Sequence, residues 1–187
     1  FEKPLKMRKS RLKKTQEQMS CRGCAAKLAA QPLKEALEKA DLSGLSNQPE
    51  DASFVAFTSS SECLLQSVDG FPALVSDPWL NGRITTLHAC SDIWASGALV
   101  HSAQLLITLP AVSQKLQKDL LFQTLEGVKS ALEPQGAKLI GGHTIESRNI
   151  APQPCSLGLD LALSVNGTVN SGYSPWIKGA LCPGDAL

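Results

Sequence analysis

Three aspartates lie far apart in the sequence, but each lies beside or within a predicted element. Asp51 precedes the strand-like run 52–57, Asp69 follows the strand-like run 63–68, and Asp92 lies inside a helical pattern. Mg²⁺ is usually held by a few carboxylates together with substrate phosphates, and a hairpin could bring Asp51 and Asp69 together. Asp92 has apolar neighbours, where an unpaired charge is costly to bury unless a metal ion or a helix N-terminus compensates it. The alternative for any one of these acids is a structural role in a turn or a helix cap.

A glycine pair directly follows the short apolar strand predicted at 137–140. The four residues of this motif are Gly141, Gly142, His143 and Thr144. We interpret the motif as a turn whose glycines let backbone amides approach a phosphate, with the Thr144 hydroxyl as a further donor. His143 could act as a general base, although a lone histidine is more often structural.

A Cys-x-x-Cys motif lies in the glycine-bearing loop Cys21–Lys27. Such a motif can bind zinc or form a redox pair, but the sequence contains no second Cys-x-x-Cys, no histidine pair and no thioredoxin-like pattern. The interpretation we favour is that Cys24 is a thiolate, because the neighbouring cations Arg22 and Lys27 lower the pKa of a thiol. Carboxylates, a loop lysine and a glycine pair together predict a domain that holds magnesium and a polyphosphate for phosphoryl transfer.

Composition indicates one globular domain with a basic N-terminal arm. The 187 residues are 43% hydrophobic and 19% charged, with a net charge of +1. Residues 1–27 carry nine Lys or Arg and two Glu, whereas the remainder carries nine basic and fifteen acidic residues. We interpret residues 1–20 as a linker or arm. Aromatic residues for base stacking are almost absent there, which argues against nucleic-acid binding.

The sequence also limits where the protein acts. No apolar run approaches the roughly 20 residues that a membrane-spanning helix needs. The six cysteines show no disulfide framework, which favours a reducing cytoplasm, and Cys63 and Cys90 lie in apolar patterns typical of small core residues.

Hydrophobic periodicity predicts the elements that position these residues. After an opening helix, the order is strand, strand, helix, strand, helix, strand, strand. Mixed hairpin and crossover connections predict an α+β fold, with a mixed or antiparallel sheet and helices packed on one face. The predicted bounds are helix 32–42, strands 52–58 and 62–68, helix 81–97, strand 100–109, helix 113–132, strands 137–140 and 156–165, and a strand beginning at 180–182. The uncovered face of the sheet predicts dimerisation through that face.

Five motifs together resemble selenophosphate synthetase (selenide, water dikinase), and the resemblance covers roughly residues 20–187. Each is a short run that agrees with the family in order and spacing. They are Gly23–Lys27, Glu50-Asp51-Ala52, Ser67-Val68-Asp69, Gly82-Arg83-Ile84 with Ala89–Ala95, and Gly141–Thr144.

The resemblance implies a fold, a reaction and a set of roles. The fold would be the N-terminal domain of the aminoimidazole-ribonucleotide synthetase type, which binds ATP and forms a homodimer through its sheets. The family makes selenophosphate from selenide, ATP and water, releasing AMP and phosphate. The residue roles that the resemblance implies are Mg²⁺ ligation by Asp51, Asp69 and Asp92; ATP binding by Lys27, Asp69, Ser91, Gly141, Gly142, His143 and Thr144; and catalysis by Cys24 and Lys27.

The sequence departs from the family pattern at three positions, namely Ala26 in place of a second cysteine, Ser20 in place of a histidine and His88 in place of an asparagine. The Ala25-Ala26 pair is similar to members fused to a flavin-dependent disulfide-reductase-like module, which implies such a module upstream. We expect residues 21–187 to be the ATP-binding domain of a longer protein, inactive without the family's C-terminal domain. The alternatives are an ATP-dependent enzyme of the same superfamily that uses an amide, thiocarboxylate or phosphate acceptor, a non-catalytic dimerisation module, and a Cys-x-x-Cys metal or redox module.

Overall fold

A computed structural model of the protein describes residues 28–42, 44, 50–147, 158–180 and 182–185. The predictions for the arm at 1–20 and for the loop residues Cys24 and Lys27 lie outside these ranges.

The described chain forms helices and strands in an α+β order. The elements are α1 (Ala30–Lys39), β1 (Ser53–Phe57), β2 (Cys63–Pro72), α2 (Pro78–Ala95), β3 (Leu99–Pro110), α3 (Gln114–Leu132) with a 3₁₀ turn (Glu133–Gln135), β4 (Lys138–Ser147) and β5 (Asp160–Val169). None of the helices in these ranges is long and apolar enough to cross a membrane.

The five strands form one mixed sheet in the order β1-β2-β5-β3-β4. β1, β2, β5 and β3 pair antiparallel with their neighbours, whereas β3 and β4 are parallel. A parallel pair needs a crossover connection, and α3 supplies it between β3 and β4. The mixed sheet predicted from the sequence is therefore present.

Alternation of side chains decides which face of the sheet is covered. In β5 the residues Leu161, Leu163 and Val165 are buried, and the residues between them are only partly buried. The period of two places one set against the helices and the other on the opposite face. On that opposite face Val68 and Leu106 are 71% and 43% exposed, so the described helices cover one side only.

The two long helices begin at capped residues and pack against each other. Asp77 accepts a hydrogen bond from the Leu80 amide at 3.0 Å, and Pro78 occupies the first turn, where the missing N–H costs nothing. Gly82 of α2 and Gly127 of α3 allow the helix backbones to touch. A Cβ atom at either glycine would collide with a carbonyl oxygen of the facing helix.

Four of the predicted strands differ from those in the structure. The residues 141–144 are not a turn but part of the continuous strand β4, because parallel pairing with Gln104–Ile107 of β3 holds them extended. β2 extends to Pro72 because its ladder with β5 continues to Asp160, and β5 runs over 160–169 rather than 156–165. The strand predicted at 180–182 is absent from residues 180 and 182, the two of the three that the structure describes.

The contact at Gly127 predicts a loss of stability for Gly127→Ala. Alanine raises helix propensity by about 1 kcal/mol, but its Cβ would overlap the Trp79 carbonyl oxygen. We expect a net decrease of about 1–3 kcal/mol in the free energy of unfolding, measured by urea denaturation. Gly44→Ala is the matched control, because nothing lies within 4 Å of its added Cβ. Equal stability of both variants would contradict the close helix contact.

Candidate functional site

Two side-chain pairs join strand β2 to helix α2. The Ser67 hydroxyl donates a hydrogen bond to Asp92 Oδ2 at 3.0 Å, and His88 Nε2 lies 2.8 Å from Asp69 Oδ2. Two residues along a strand advance about 6.7 Å and four residues along a helix about 6 Å, so the two pairs are spaced alike on both elements. We call these four residues the β2–α2 polar pairs.

The Asp69 carboxylate is held on both oxygens. Its side chain is only 13% exposed, and Oδ1 accepts a hydrogen bond from the Gly70 amide at 2.9 Å. The His88 ring that contacts Oδ2 packs on Phe71, with ring centroids 4.6 Å apart. The carboxylate is therefore fixed in orientation rather than free to rotate.

A cavity of about 180 Å³ brings Asp51 and Asp92 to one place. Glu50 and Lys178 also line it. Asp51 precedes β1, whereas Asp92 lies on α2. The fold therefore brings together at this cavity two residues that are 41 positions apart in the sequence. The two acids face a common space of a size that suits an ion with its bound water.

Lys178 supplies a cation to this cavity. Its Nζ lies 2.6 Å from Asp51 Oδ2, and its backbone N–H points to the Glu50 carboxylate, with N···O distances of 3.2 and 3.3 Å. The hydrogen bond to Asp51 raises the pKa of Lys178. The negative charges of Asp51, Glu50 and Asp92 add to this rise, and partial desolvation opposes it. Lys178 is therefore a charged ammonium at neutral pH.

The segment that carries Lys178 is anchored against the end of α2. The Trp176 amide donates to the Ser96 carbonyl oxygen at 3.0 Å, and the indole packs over Gly97. Gly97 has φ of +73°, and a Cβ there would approach the indole to 3.2 Å. Gly97 is thus required both for the backbone turn and for the close approach of Trp176.

The other predicted phosphate-binding residues lie elsewhere. The Ser91 hydroxyl donates within α2 to the His88 carbonyl oxygen at 2.6 Å. Gly141–Thr144 lies on edge strand β4, which β5 and β3 separate from β2. Three strand spacings amount to about 14 Å, so this motif is not beside Asp69 within one chain. Gly142 and His143 instead line a depression on the open face of the sheet.

The geometry brings Asp51 and Asp92 to one cavity, which Asp69 does not line, and forms no ready-made metal cluster in the described residues. Within the described part of the chain, no three His, Cys, Asp or Glu side chains are arranged as a metal site. Asp51 shares a cavity with Asp92, and Asp92 lies one helical turn from the residue that holds Asp69. The three aspartates offer carboxylate oxygens, the ligand type that Mg²⁺ prefers. The residues therefore fit a magnesium ion in chemistry, and each carboxylate currently contacts a group of this chain.

The sequence predicts no site role for four residues, Glu50, Ser67, His88 and Lys178. Glu50 and Ser67 stand beside aspartates in the resemblance motifs, and His88 is a departure from the family pattern. Lys178 follows a Pro-Trp-Ile run, with no local pattern that indicates a site. The prediction for the two core cysteines is confirmed, since both are buried, and burial raises the pKa of the Cys90 thiol to about 11.

Comparison with known families bears on the same region. Residues 49–169 match the family described as AIR synthase related protein, N-terminal domain. This range contains all three aspartates, Ser91 and the Gly141–Thr144 motif.

Curated relatives share a common name. The chain is 34% identical over 133 residues to a selenide, water dikinase of Pelobacter propionicus, covering 68% of this chain and 38% of the relative. It is 30% identical over 187 residues to a selenide, water dikinase of Myxococcus xanthus, covering 95% of this chain and 48% of the relative. The chain thus spans less than half the length of these two relatives.

Solved structures resemble the fold at low sequence identity. Thiamine monophosphate kinase from Aquifex aeolicus matches with a TM-score of 0.55 and 20% identity, over 74% of this chain and 44% of that one. PurL from Thermotoga maritima, complexed with AMPPCP, matches with a TM-score of 0.58 and 15% identity, over 78% of this chain and 25% of that one. The predicted α+β fold class is confirmed by these neighbours and by the mixed five-stranded sheet. The chain belongs to the AIR synthase related protein family and contains its N-terminal domain.

Proposed function

We propose that this chain is the ATP-binding domain of a selenide, water dikinase and works as part of a longer protein. The protein would make selenophosphate from selenide, ATP and water, releasing AMP and phosphate. The observation that carries the proposal is the similarity to relatives with that name, one of which aligns over 95% of the chain. The acidic cavity and the β2–α2 polar pairs support it, because the predicted ligands Asp51, Asp69 and Asp92 lie along them.

Mg²⁺ is the proposed metal, with Asp51, Asp69 and Asp92 as its protein ligands. When bound, the ion would neutralise charge on the phosphate oxygens of ATP. The chain's own residues prepare the ligands: Ser67 orients Asp92, and His88 with the Gly70 amide orients Asp69. Fixing carboxylates before the ligand arrives reduces the ordering that binding must bring about.

The nucleotide is proposed to lie between two subunits of a homodimer. Lys27, Ser91 and the Gly141–Thr144 strand are the proposed phosphate-binding residues. Gly142 and His143 line the open sheet face, so pairing through that face would bring β4 of one subunit towards its partner. The fold neighbour PurL complexed with AMPPCP supports nucleotide binding by this fold.

The selenium step is proposed to involve the loop that contains Cys24 and Lys27. The lysine's positive charge favours the Cys24 thiolate, which is the nucleophilic form. A flavin-dependent reductase module upstream and the family's C-terminal domain downstream are further proposed parts of the whole protein, with the cytoplasm as its compartment.

A second candidate is an ATP-dependent enzyme of the same superfamily with a different acceptor. The fold similarity to thiamine monophosphate kinase favours this alternative. Selenide-dependent ATP consumption distinguishes the two candidates, because only the first requires it.

Replacing Asp92 tests the metal assignment. Asp92→Asn keeps an oxygen that can accept from Ser67 but removes the charge. We expect affinity for Mg·ATP to fall by at least about tenfold. Loss of a residue that only hydrogen-bonds to a metal ligand already lowers metal affinity by about that factor, and Asp92 is proposed as a ligand itself. Calorimetry on the full-length protein measures it, with Glu126→Gln on the exposed side of α3 as the charge-matched control. A folded Asp92→Asn variant with normal affinity would remove Asp92 from the site.

Replacing Cys24 tests the selenium step. In the full-length protein, Cys24→Ser should abolish selenide-dependent ATP consumption while leaving Mg·ATP binding intact, because the hydroxyl is a much weaker nucleophile than a thiolate. Cys182→Ser is the matched control, since Cys182 is an exposed free cysteine in the described chain. Unchanged consumption by Cys24→Ser would refute the selenium role of this residue.

A charge on the open sheet face tests dimerisation. Leu106→Glu would bury an unpaired carboxylate in the proposed interface, so we expect a monomer by analytical ultracentrifugation. Phe122→Glu on α3 is the control, because Phe122 is an exposed apolar residue on the helical side. A Leu106→Glu variant that remains as dimeric as the control would place the interface elsewhere.

A further inference from the structure

Lys178 has no role in the function proposed above, and it lies beyond the family match at 49–169. Three carboxylates and one ammonium nevertheless meet at its cavity. We propose that Lys178 is a built-in counter-cation of this acid cluster, whose ammonium pairs with the Asp51 carboxylate and competes with a divalent ion that binds there. This inference rests on the proposed metal role of Asp51.

The position of the ammonium is set by an anchored backbone. The Lys178 amide is directed at the Glu50 carboxylate, and two residues earlier the Trp176 amide is bound to the Ser96 carbonyl oxygen. The side chain then extends to Asp51, where Nζ lies 2.6 Å from Oδ2. The fold therefore delivers this lysine to a distant acid. The pair of Lys129 with Glu133, which is similarly exposed, instead lies within one helical stretch.

Electrostatics gives the ammonium two opposite effects. Glu50, Asp51 and Asp92 together carry three negative charges in a small space, and the Lys178 charge relieves their repulsion when no metal is bound. A magnesium ion on Asp51 would lie about 2.1 Å from a carboxylate oxygen. Two cations on one carboxylate repel each other, so the Lys178 ammonium competes with the ion for Asp51. The lysine consequently stabilises the metal-free domain and weakens divalent-ion binding.

The test measures metal binding by the full-length protein without nucleotide. Mn²⁺ is the probe, because electron paramagnetic resonance counts the free ion directly. Lys178→Met should raise Mn²⁺ affinity about two- to fivefold, the size expected when a partly exposed ion pair is removed. The difference should shrink as salt is added, because salt screens exposed charges.

Three controls separate competition between Lys178 and Mn²⁺ at Asp51 from other effects of the substitution. Lys178→Arg keeps the charge and should bind Mn²⁺ like the unsubstituted protein. Lys129→Met removes the same charge far from the cluster and should also change nothing. In an Asp51→Asn background, Lys178→Met should give a smaller increase, because the contact with the Asp51 carboxylate is already lost.

Each outcome bears on the inference. Equal or weaker Mn²⁺ binding by Lys178→Met, with the unsubstituted protein binding both Mn²⁺ and Mg·ATP, would overturn the counter-cation role alone. An increase of undiminished size in the Asp51→Asn background would also overturn it. If the unsubstituted protein binds neither Mn²⁺ nor Mg·ATP, the proposed function fails and this inference fails with it.

Discussion

The candidate site depends on the contact between strand β2 and helix α2. Ser67 and Asp69 alternate onto the helical face of the strand, and His88 and Asp92 recur on the strand-facing side of the helix. The similar advance of two strand residues and four helix residues makes both pairs possible at once. If the two spacings differed, one carboxylate would lie between β2 and α2 without a partner, and burying an unpaired charge costs free energy.

The packing of α3 against α2 fixes the position of the second long helix on the sheet. Gly82 and Gly127 let α3 lie directly against α2, which fixes the second helix over the same face of the sheet. Because both long helices cover one face, apolar residues such as Leu106 remain on the other. The domain therefore has two separate surfaces. One carries the proposed metal ligands, and the other is the open sheet face through which dimerisation is proposed.

Much of the fold follows from local patterns. The alternating apolar residues of Asp160–Val169 and the capped helix at Gln114–Leu132 are both readable from sequence, because their periodicity reflects burial. The Gly141–Thr144 strand is not readable, since local propensity indicates a turn and only pairing with β3 holds it extended. The site residue Lys178 was missed for a related reason. Its partner Glu50 lies 128 positions away, and nothing near Lys178 in the sequence points to it.

The central claim is that Asp51, Asp69 and Asp92 bind one metal ion together. Its most direct test is a crystal structure of the full-length protein with Mn²⁺ and a non-hydrolysable ATP analogue, with the ion located from its anomalous scattering. The account predicts an anomalous peak within bonding distance of carboxylate oxygens from all three aspartates, in contact with the analogue's phosphates. A peak bound by other residues, with Asp51 still paired to Lys178 and no contact between the ion and Asp69 or Asp92, would contradict it.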